Sequence, residues 1–152
     1  MGAIGLALLV VLSGHLAMND SAVGVAYLRV AEAKASMPFA RAFVSGILCN
    51  ALVCLAVWMA TAGRSVIDKA IAIVFPVSAF VAAGFEYSVA NLFLIPAAIL
   101  YKWTGAASTV AEHVNITGLL TNLAPVVLGN IVGGGVFVAF IYHMIYRRGR
   151  TA

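Results

Sequence analysis

Between Lys69 and Lys102 run thirty-two residues, 70–101, with a single charged side chain, Glu86, near the middle. As one straight helix rising 1.5 Å per residue, that run would reach about 48 Å, well past the ~30 Å hydrocarbon core of a bilayer. Cut at Glu86, each half reaches about 24 Å, too short to cross alone. A helix broken at Gly84-Phe85-Glu86-Tyr87-Ser88 satisfies both lengths, and Pro76 and Pro96 loosen the two halves further.

Composition supports a membrane setting. Of 152 residues, 64% are hydrophobic and 9% charged, where a soluble domain carries about 25% charged residues. The formal net charge of +4 comes from few residues and forms no basic tract, so nucleic-acid binding, which needs a Lys/Arg stripe against phosphates, has no support. Cys49 and Cys54 lie in an apolar run and read as small core residues, neither disulfide nor metal site. Residues 2–12 are apolar, but no Lys or Arg precedes them as a secretory signal requires, so a span or the remainder of one is expected over 1–18.

The remaining elements follow from length and charge. Residues 23–37 carry Arg29, Glu32 and Lys34 and suggest an interfacial helix capped by Asp20 or Ser21, with Arg29 and Glu32 close enough to pair. A second span is expected over 42–63, which holds no charge until Arg64. Residues 102–122 are polar enough for an external loop, with a capping box at Thr109-x-x-Glu112. Pro125 then sits where a helix can begin, and a last span is expected over 125–146. Its aromatic-then-basic ending, Tyr146-Arg147-Arg148-Gly149-Arg150, places the C-terminus on the cytoplasmic side. The loop charges lean the same way: Arg64, Lys69, Arg147, Arg148 and Arg150 inside, against Arg29, Lys34, Arg41 and Lys102 outside, five to four. The expected architecture is an all-α integral membrane bundle forming a single transmembrane region over 1–152.

Glu86 is the first candidate for chemistry. A charge at membrane depth costs ~3 kcal/mol or more unpaired, so such residues face a cavity or a partner. Glu86 either ties the broken helix to its neighbours or stands in a transport pathway. A break also exposes a half-helix N-terminus, whose free N–H groups and partial positive charge suit an anion. Tyr87-Ser88-Val89-Ala90-Asn91 forms its first turn, with Ser88 able to cap and Asn91 able to reach a passing solute. Asn50 and Asn130 are amides inside spans, where interhelical hydrogen bonding is the first expectation. Gly129-x-x-x-Gly133, with Gly134 and Gly135, reads as close helix packing, since no strand precedes it to make a phosphate loop. His15, His113 and His143 are scattered without metal-ligand spacing, and no nucleophile elbow or phosphate loop points to an enzyme or a cofactor.

Four stretches resemble the formate/nitrite transporter family. Gly46-Ile-Leu-Cys-Asn50-Ala-Leu-Val53-Cys-Leu-Ala-Val-Trp-Met59 resembles its fourth span, and Ala62-Gly-Arg-Ser65 into Asp68-Lys69-Ala70 the loop that follows. Gly84-Phe85-Glu86-Tyr87-Ser88-Val89-Ala90-Asn91, running on to Ile95-Pro96, resembles the broken fifth helix, and Gly129-Asn130-Ile131-Val132-Gly133-Gly134-Gly135 the sixth. The resemblance covers about residues 20–148. It implies an aquaporin-like fold of six spans in two inverted repeats, assembled as a pentamer with one pore per subunit, in the cell's inner (cytoplasmic) membrane. It also implies roles. Lys34 attracts anions into the periplasmic vestibule, and Phe80 and Val53 form apolar constrictions on the cytoplasmic and periplasmic sides. Asn50 is an amide beside the central site, Glu86 the buried carboxylate, and Asn91 and Asn130 are polar groups near the pore.

Two departures shape the expectation. The residue after the buried Glu is usually His in formate and nitrite channels, and here it is Tyr87. A histidine can share a proton near neutral pH, whereas a tyrosine with pKa ≈ 10 donates a hydrogen bond without exchanging charge. The alternative for Tyr87 is packing against Asn50. The second departure is length: the opening spans of the first repeat have no counterpart, and 1–18 corresponds to the remains of the third span. The chain is therefore expected to be a fragment or half of a split pair, pentameric once completed. The function expected is passage of formate, nitrite or a similar small monovalent anion. The alternatives are a hydrosulfide, lactate or acetate specialist, or a nonconducting assembly component.

Overall fold

Helix follows helix along the chain because long apolar runs leave the backbone no partner but itself in a bilayer. A computed structural model describes residues 2–105 and 111–148, and for Arg148 the backbone alone. Thr109 of the expected capping box, with Gly149 and Arg150, lies outside the described residues. The helices are α1 (Gly2–Leu12), α2 (Ala22–Ala35), α3 (Phe39–Ala62), α4 (Val66–Ala82), α5 (Ser88–Trp103), α6 (Ile116–Ile131) and α7 (Ile141–Arg148). A short 3-10 turn, His15–Ala17, follows α1, and a π-type stretch, Val132–Phe140, joins α6 to α7. Phe39–Ala62 and the continuous helix Ile116–Arg147 are long and apolar enough to cross a membrane. Large apolar side chains point outward all along them, Val57 and Ile131 at 60% and 62% exposure among them, which is costly in water and ordinary in lipid.

The chain divides into two units, Met1–Arg41 with Ser88–Pro125, and Ala42–Tyr87 with Val126–Ala152. In the first, α1 and α2 both pack on α5. Its core is side-chain-filled: Leu16, Leu28, Ile95, Ile99, Tyr101 and Val114 are buried together. α1 ends at Leu12, sooner than the span expected over 1–18, because Gly14 turns left-handed (φ 75°) and starts the short turn. Asn19, Asp20 and Ser21 are also left-handed, at φ 53°, 52° and 68°, a conformation that Asn and Asp tolerate better than most residues. Ser21 stands at the N-cap of α2, yet its side chain makes no capping bond, so the expected side-chain cap is absent there.

Two further boundaries and one pairing differ from expectation. α4 starts at Val66, ahead of Ala70, because Ser65 and Asp68 form a capping box: the Ser65 Oγ accepts from the Asp68 N–H at 3.1 Å, and the Asp68 carboxylate accepts from Ser65 N at 2.9 Å. Those bonds hold the Asp68 carboxyl below its usual range. The last long helix starts at Ile116, not Pro125, so residues 116–122 are helix and not loop. Asn115 is the reason: its Oδ1 accepts the Gly118 N–H at 2.8 Å, capping the first turn. Glu32 does not take up Arg29 but turns to His113, accepting its backbone N–H at 2.8 Å and contacting Nδ1 at 2.5 Å. A backbone N–H fixed beside an imidazole gives the carboxylate two converging donors, a better match than one flexible guanidinium on its own helix. The Glu32 hydrogen bond, then its charge, raises the His113 pKa above 6.5.

In the second unit α3 lies against the glycine-bearing helix almost without side chains between them. A Cβ on Gly129 would collide with the Phe43 carbonyl, and one on Gly133 with that of Ile47. The glycines thus set the close approach expected of Gly129-x-x-x-Gly133. The break expected at 84–88 is present: α4 closes at Ala82 and α5 opens at Ser88. The close is a Schellman motif, with Phe85 N–H to Phe80 O at 3.0 Å, Gly84 N–H to Val81 O at 3.1 Å, and Gly84 left-handed at φ 67°. The π-type stretch has no counterpart in the expectation.

Candidate functional site

A broken helix leaves backbone groups without helical partners, and at membrane depth those groups must be satisfied by protein. In the second unit they are. Glu86, 1% exposed, donates its N–H to Ser45 Oγ at 3.0 Å. Its carbonyl accepts from Asn130 Nδ2 at 3.1 Å, and the same amide donates to Gly46 O at 2.9 Å. The Asn130 carbonyl in turn accepts from Asn50 Nδ2 at 2.5 Å. Asn50, Glu86 and Asn130, singled out separately in the sequence, therefore form one connected centre. The interhelical bonding expected of both amides is present, and the Glu86 backbone is tied to Ser45 and Asn130. Ser45 belongs to the centre and was not anticipated; a hydroxyl one residue before Gly46, on a face approached by other backbone, was the available signal.

Gly134 makes room for that centre, since a Cβ there would stand 2.5 Å from Asn50 Nδ2. The ring of Tyr87 lies 6.1 Å from that of Phe80, tilted by 53°. Tyr87 thus has Phe80 as an aromatic neighbour. Both are half-buried, as is Val53, one turn along α3 from Asn50.

The first unit holds a second polar chain. Asn91, fully buried in the first turn of α5, donates through Nδ2 to Asn122 Oδ1 at 2.7 Å. Asn122 Nδ2 donates to the carbonyl of Lys34 at 2.8 Å. Asn91 and Lys34 are so brought together through Asn122, which sequence reasoning assigned to a loop because of the polar run before it. Ser88 opens α5, where it was expected to cap the half-helix. Lys102, counted among the outside charges, donates from Nζ to Ala111 O at 2.7 Å and contacts Val114 O at 3.5 Å. Among the described residues no cluster of three His, Cys, Asp or Glu could hold a metal ion.

In the second unit the arrangement is a set of amide and hydroxyl groups bonded around an interrupted helix.

The chain matches the model of the formate/nitrite transporter family over residues 1–144. It is 42% identical over 158 residues to the formate channel FocA of Escherichia coli (strain K12), covering 97% of this chain and 55% of that one. With the formate channel BtFdhC of Bacillus thuringiensis it shares 39% over 119 residues, covering 78% of this chain and 42% of the relative. Among solved structures, a pentameric formate channel with formate bound superposes with a TM-score of 0.88 at 38% identity, over 95% of this chain and 61% of that one. An FNT family ion channel gives 0.76 at 35% identity, over 95% and 54%. The chain spans about half the length of the curated relatives it matches.

Proposed function

The chain belongs to the formate/nitrite transporter family, and from that premise we propose that it provides the second inverted repeat of a membrane channel for formate, nitrite or a similar small monovalent anion. The observation that carries this reading is the interruption at Glu86, buried and tied by Ser45 and Asn130. A break so fully satisfied is a built feature, and its downstream half-helix begins at Ser88 with an N-terminal partial charge of the sign an anion seeks. The channel works as a homopentamer of completed subunits in the inner (cytoplasmic) membrane, with the C-terminus on the cytoplasmic side.

Each residue then has a task. Lys34 concentrates anions at the periplasmic mouth, an effect strongest at low ionic strength where screening is weakest. Val53 and Phe80 are apolar collars, which raise the cost of passing a charge and gate by dewetting. Asn50 is the amide beside the central site, Asn91 and Asn130 are polar groups near the pore, and Ser88 holds the half-helix start. Glu86 fixes the break.

Tyr87 defines the mechanism. Its hydroxyl donates a hydrogen bond to the anion, worth about 1.5–3 kcal/mol to a charged acceptor, and delivers no proton at neutral pH. The neighbouring Phe80 ring orients it. Transport therefore follows the anion's own gradient. The test is formate and nitrite flux into vesicles, with and without an imposed pH gradient, for the native protein and Tyr87→His. The native form should respond weakly to the proton gradient, and the histidine form should gain a pH dependence between about 5 and 8. Strong proton-coupled uptake by the native form would overturn the mechanism.

A further inference from the structure

The second unit also carries an apolar groove, on the Cys54 side of Gly134. It lies between the last two turns of α3 and the π-type stretch, has a volume of about 310 Å3, and is walled by Val57, Trp58, Thr61, Gly134, Val138 and Tyr142. Two features create it. Gly134 contributes no side chain, and its missing Cβ would have stood 3.0 Å from Cys54 Sγ at the groove floor. The Thr61 hydroxyl is turned back to the Trp58 carbonyl at 2.6 Å, so it offers its proton to the helix and not to the groove. What remains is a hydrocarbon surface with nothing to coordinate a small anion.

Its dimensions and ends identify the occupant. From Cys54 to Thr61 the wall rises about 10 Å along α3, roughly two-thirds of one ~15 Å leaflet of hydrocarbon. Towards the outer end Trp58 lies against Tyr142, ring centroids 4.2 Å apart and tilted by 31°, and 5.7 Å from Tyr146, the kind of aromatic cluster that sits at a bilayer's interface. Beyond it both helices turn basic: Arg64 follows α3, and Arg147 follows Tyr146. The Arg147 guanidinium lies 3.3 Å from the His143 ring, which leaves most of its donors for another acceptor. The acid at this end, Asp68, already accepts from the backbone N–H groups of Arg64 and Ser65. An apolar slot of less than one leaflet's depth, aromatic at its mouth and cationic above it, matches a lipid with a negative headgroup.

We propose that this groove holds one acyl chain of an anionic phospholipid from the leaflet on the Arg147 side, with its phosphate met by Arg64 and Arg147. The chain has two tryptophans, Trp58 and Trp103, so Trp103→Phe leaves Trp58 as the reporter on the groove wall. The protein is reconstituted in vesicles, and its fluorescence is followed as brominated phosphatidylglycerol or brominated phosphatidylcholine replaces the unbrominated lipid. The expected result is quenching by both, with a relative association about fivefold in favour of phosphatidylglycerol, the scale of one basic contact at a membrane surface. Arg64→Gln with Arg147→Gln should abolish that preference while keeping the quenching by phosphatidylcholine. Val138→Phe, which fills the groove from its own wall, should lower quenching by both lipids without disturbing the arginines. Equal association of the two lipids would overturn the anionic assignment. A Trp58 that no brominated lipid quenches would show the groove covered by protein, a second copy or a further part of a longer chain, and would overturn the proposal altogether. Neither readout depends on anion flux.

Discussion

The two units are held together by opposite means. In the first, Leu28 and its neighbours fill the space between helices with branched and aromatic side chains, and Gly24 opens only to admit the ring of Tyr101. In the second, the decisive contacts are made where side chains are missing, with Gly129 and Gly133 against the carbonyls of Phe43 and Ile47. Polar groups follow the same division. The amide chain Asn91–Asn122 ends on the last turn of an intact helix, at Lys34. The amide of Asn130 serves a helix that has been interrupted, at Glu86, as well as one that has not, at Gly46. The difference teaches where the fold tolerates change: one unit should suffer from lost volume, the other from added volume.

Opposite substitutions give the sharpest test. Leu28→Ala removes a side chain that is 1% exposed and should cost about 2–5 kcal/mol. Gly133→Ala adds one methyl against the Ile47 carbonyl and should cost about 1–3 kcal/mol. Gly5→Ala, where a Cβ meets nothing within 4 Å, is the control and should be neutral or slightly stabilising. Denaturant unfolding in detergent, followed by helical circular dichroism, measures all three. A tolerated Gly133→Ala would break the comparison, because the close approach would then not depend on the glycine.

Asn130→Ala takes an amide donor from two carbonyls, of Gly46 and Glu86. Its cost should be about 1–2 kcal/mol, since amide bonds inside membranes contribute less than burial suggests. Asn122→Ala takes the acceptor from Asn91 Nδ2 and one donor from the Lys34 carbonyl, which keeps the Met37 N–H. It should cost less in the same unfolding measurement, because both of its partners sit on uninterrupted helices. Equal losses would mean that the break needs no special support.

The smallest effect belongs to pH. His113 has its pKa raised above 6.5, chiefly by the hydrogen bond to Glu32, then by the charges of Glu32 and Glu112. A raised folded-state value means that the protonated ring favours the folded form. The stabilisation is full below about pH 6.5 and fades as pH rises through the higher folded value. The first unit should therefore unfold slightly more easily at pH 8 than at pH 6, and Glu32→Gln should flatten the difference. The Nδ1 and Nε2 shifts of His113 in an NMR titration locate the transition. A midpoint at or below 6.5 would rule the contact out as the cause.

Much of this organisation was legible in the residues themselves. The interruption at 84–88 followed from length and one charge, since no unbroken helix of that run fits a bilayer. The glycine contacts followed from spacing. What escaped depended on partners distant in sequence. Asn122 looked like loop because polar residues precede it, whereas Asn115 caps the helix early enough to carry Asn122 inside. Lys102 looked like a solvent charge until carbonyls nine and twelve residues later closed on it. Arg29 is nearer to Glu32 along the chain than His113 is, but sequence distance does not rank donors when a loop folds back.

The π-type stretch Val132–Phe140 has a consequence for how the chain can change over evolutionary time. A turn closed by i→i+5 bonds holds one residue more than an α-turn spanning the same rise. The stretch is therefore a place where the chain can gain or lose a residue without losing its helix: a deletion is absorbed by tightening to ordinary α geometry. The backbone would survive such an event, but everything downstream would rotate by about 100°. Tyr142 and Tyr146 would swing away from Trp58, and the basic end of the helix would point elsewhere. Beyond the packed Gly133 and Gly134, length variation at 135–140 is thus silent for the fold and loud for the surface that α7 presents.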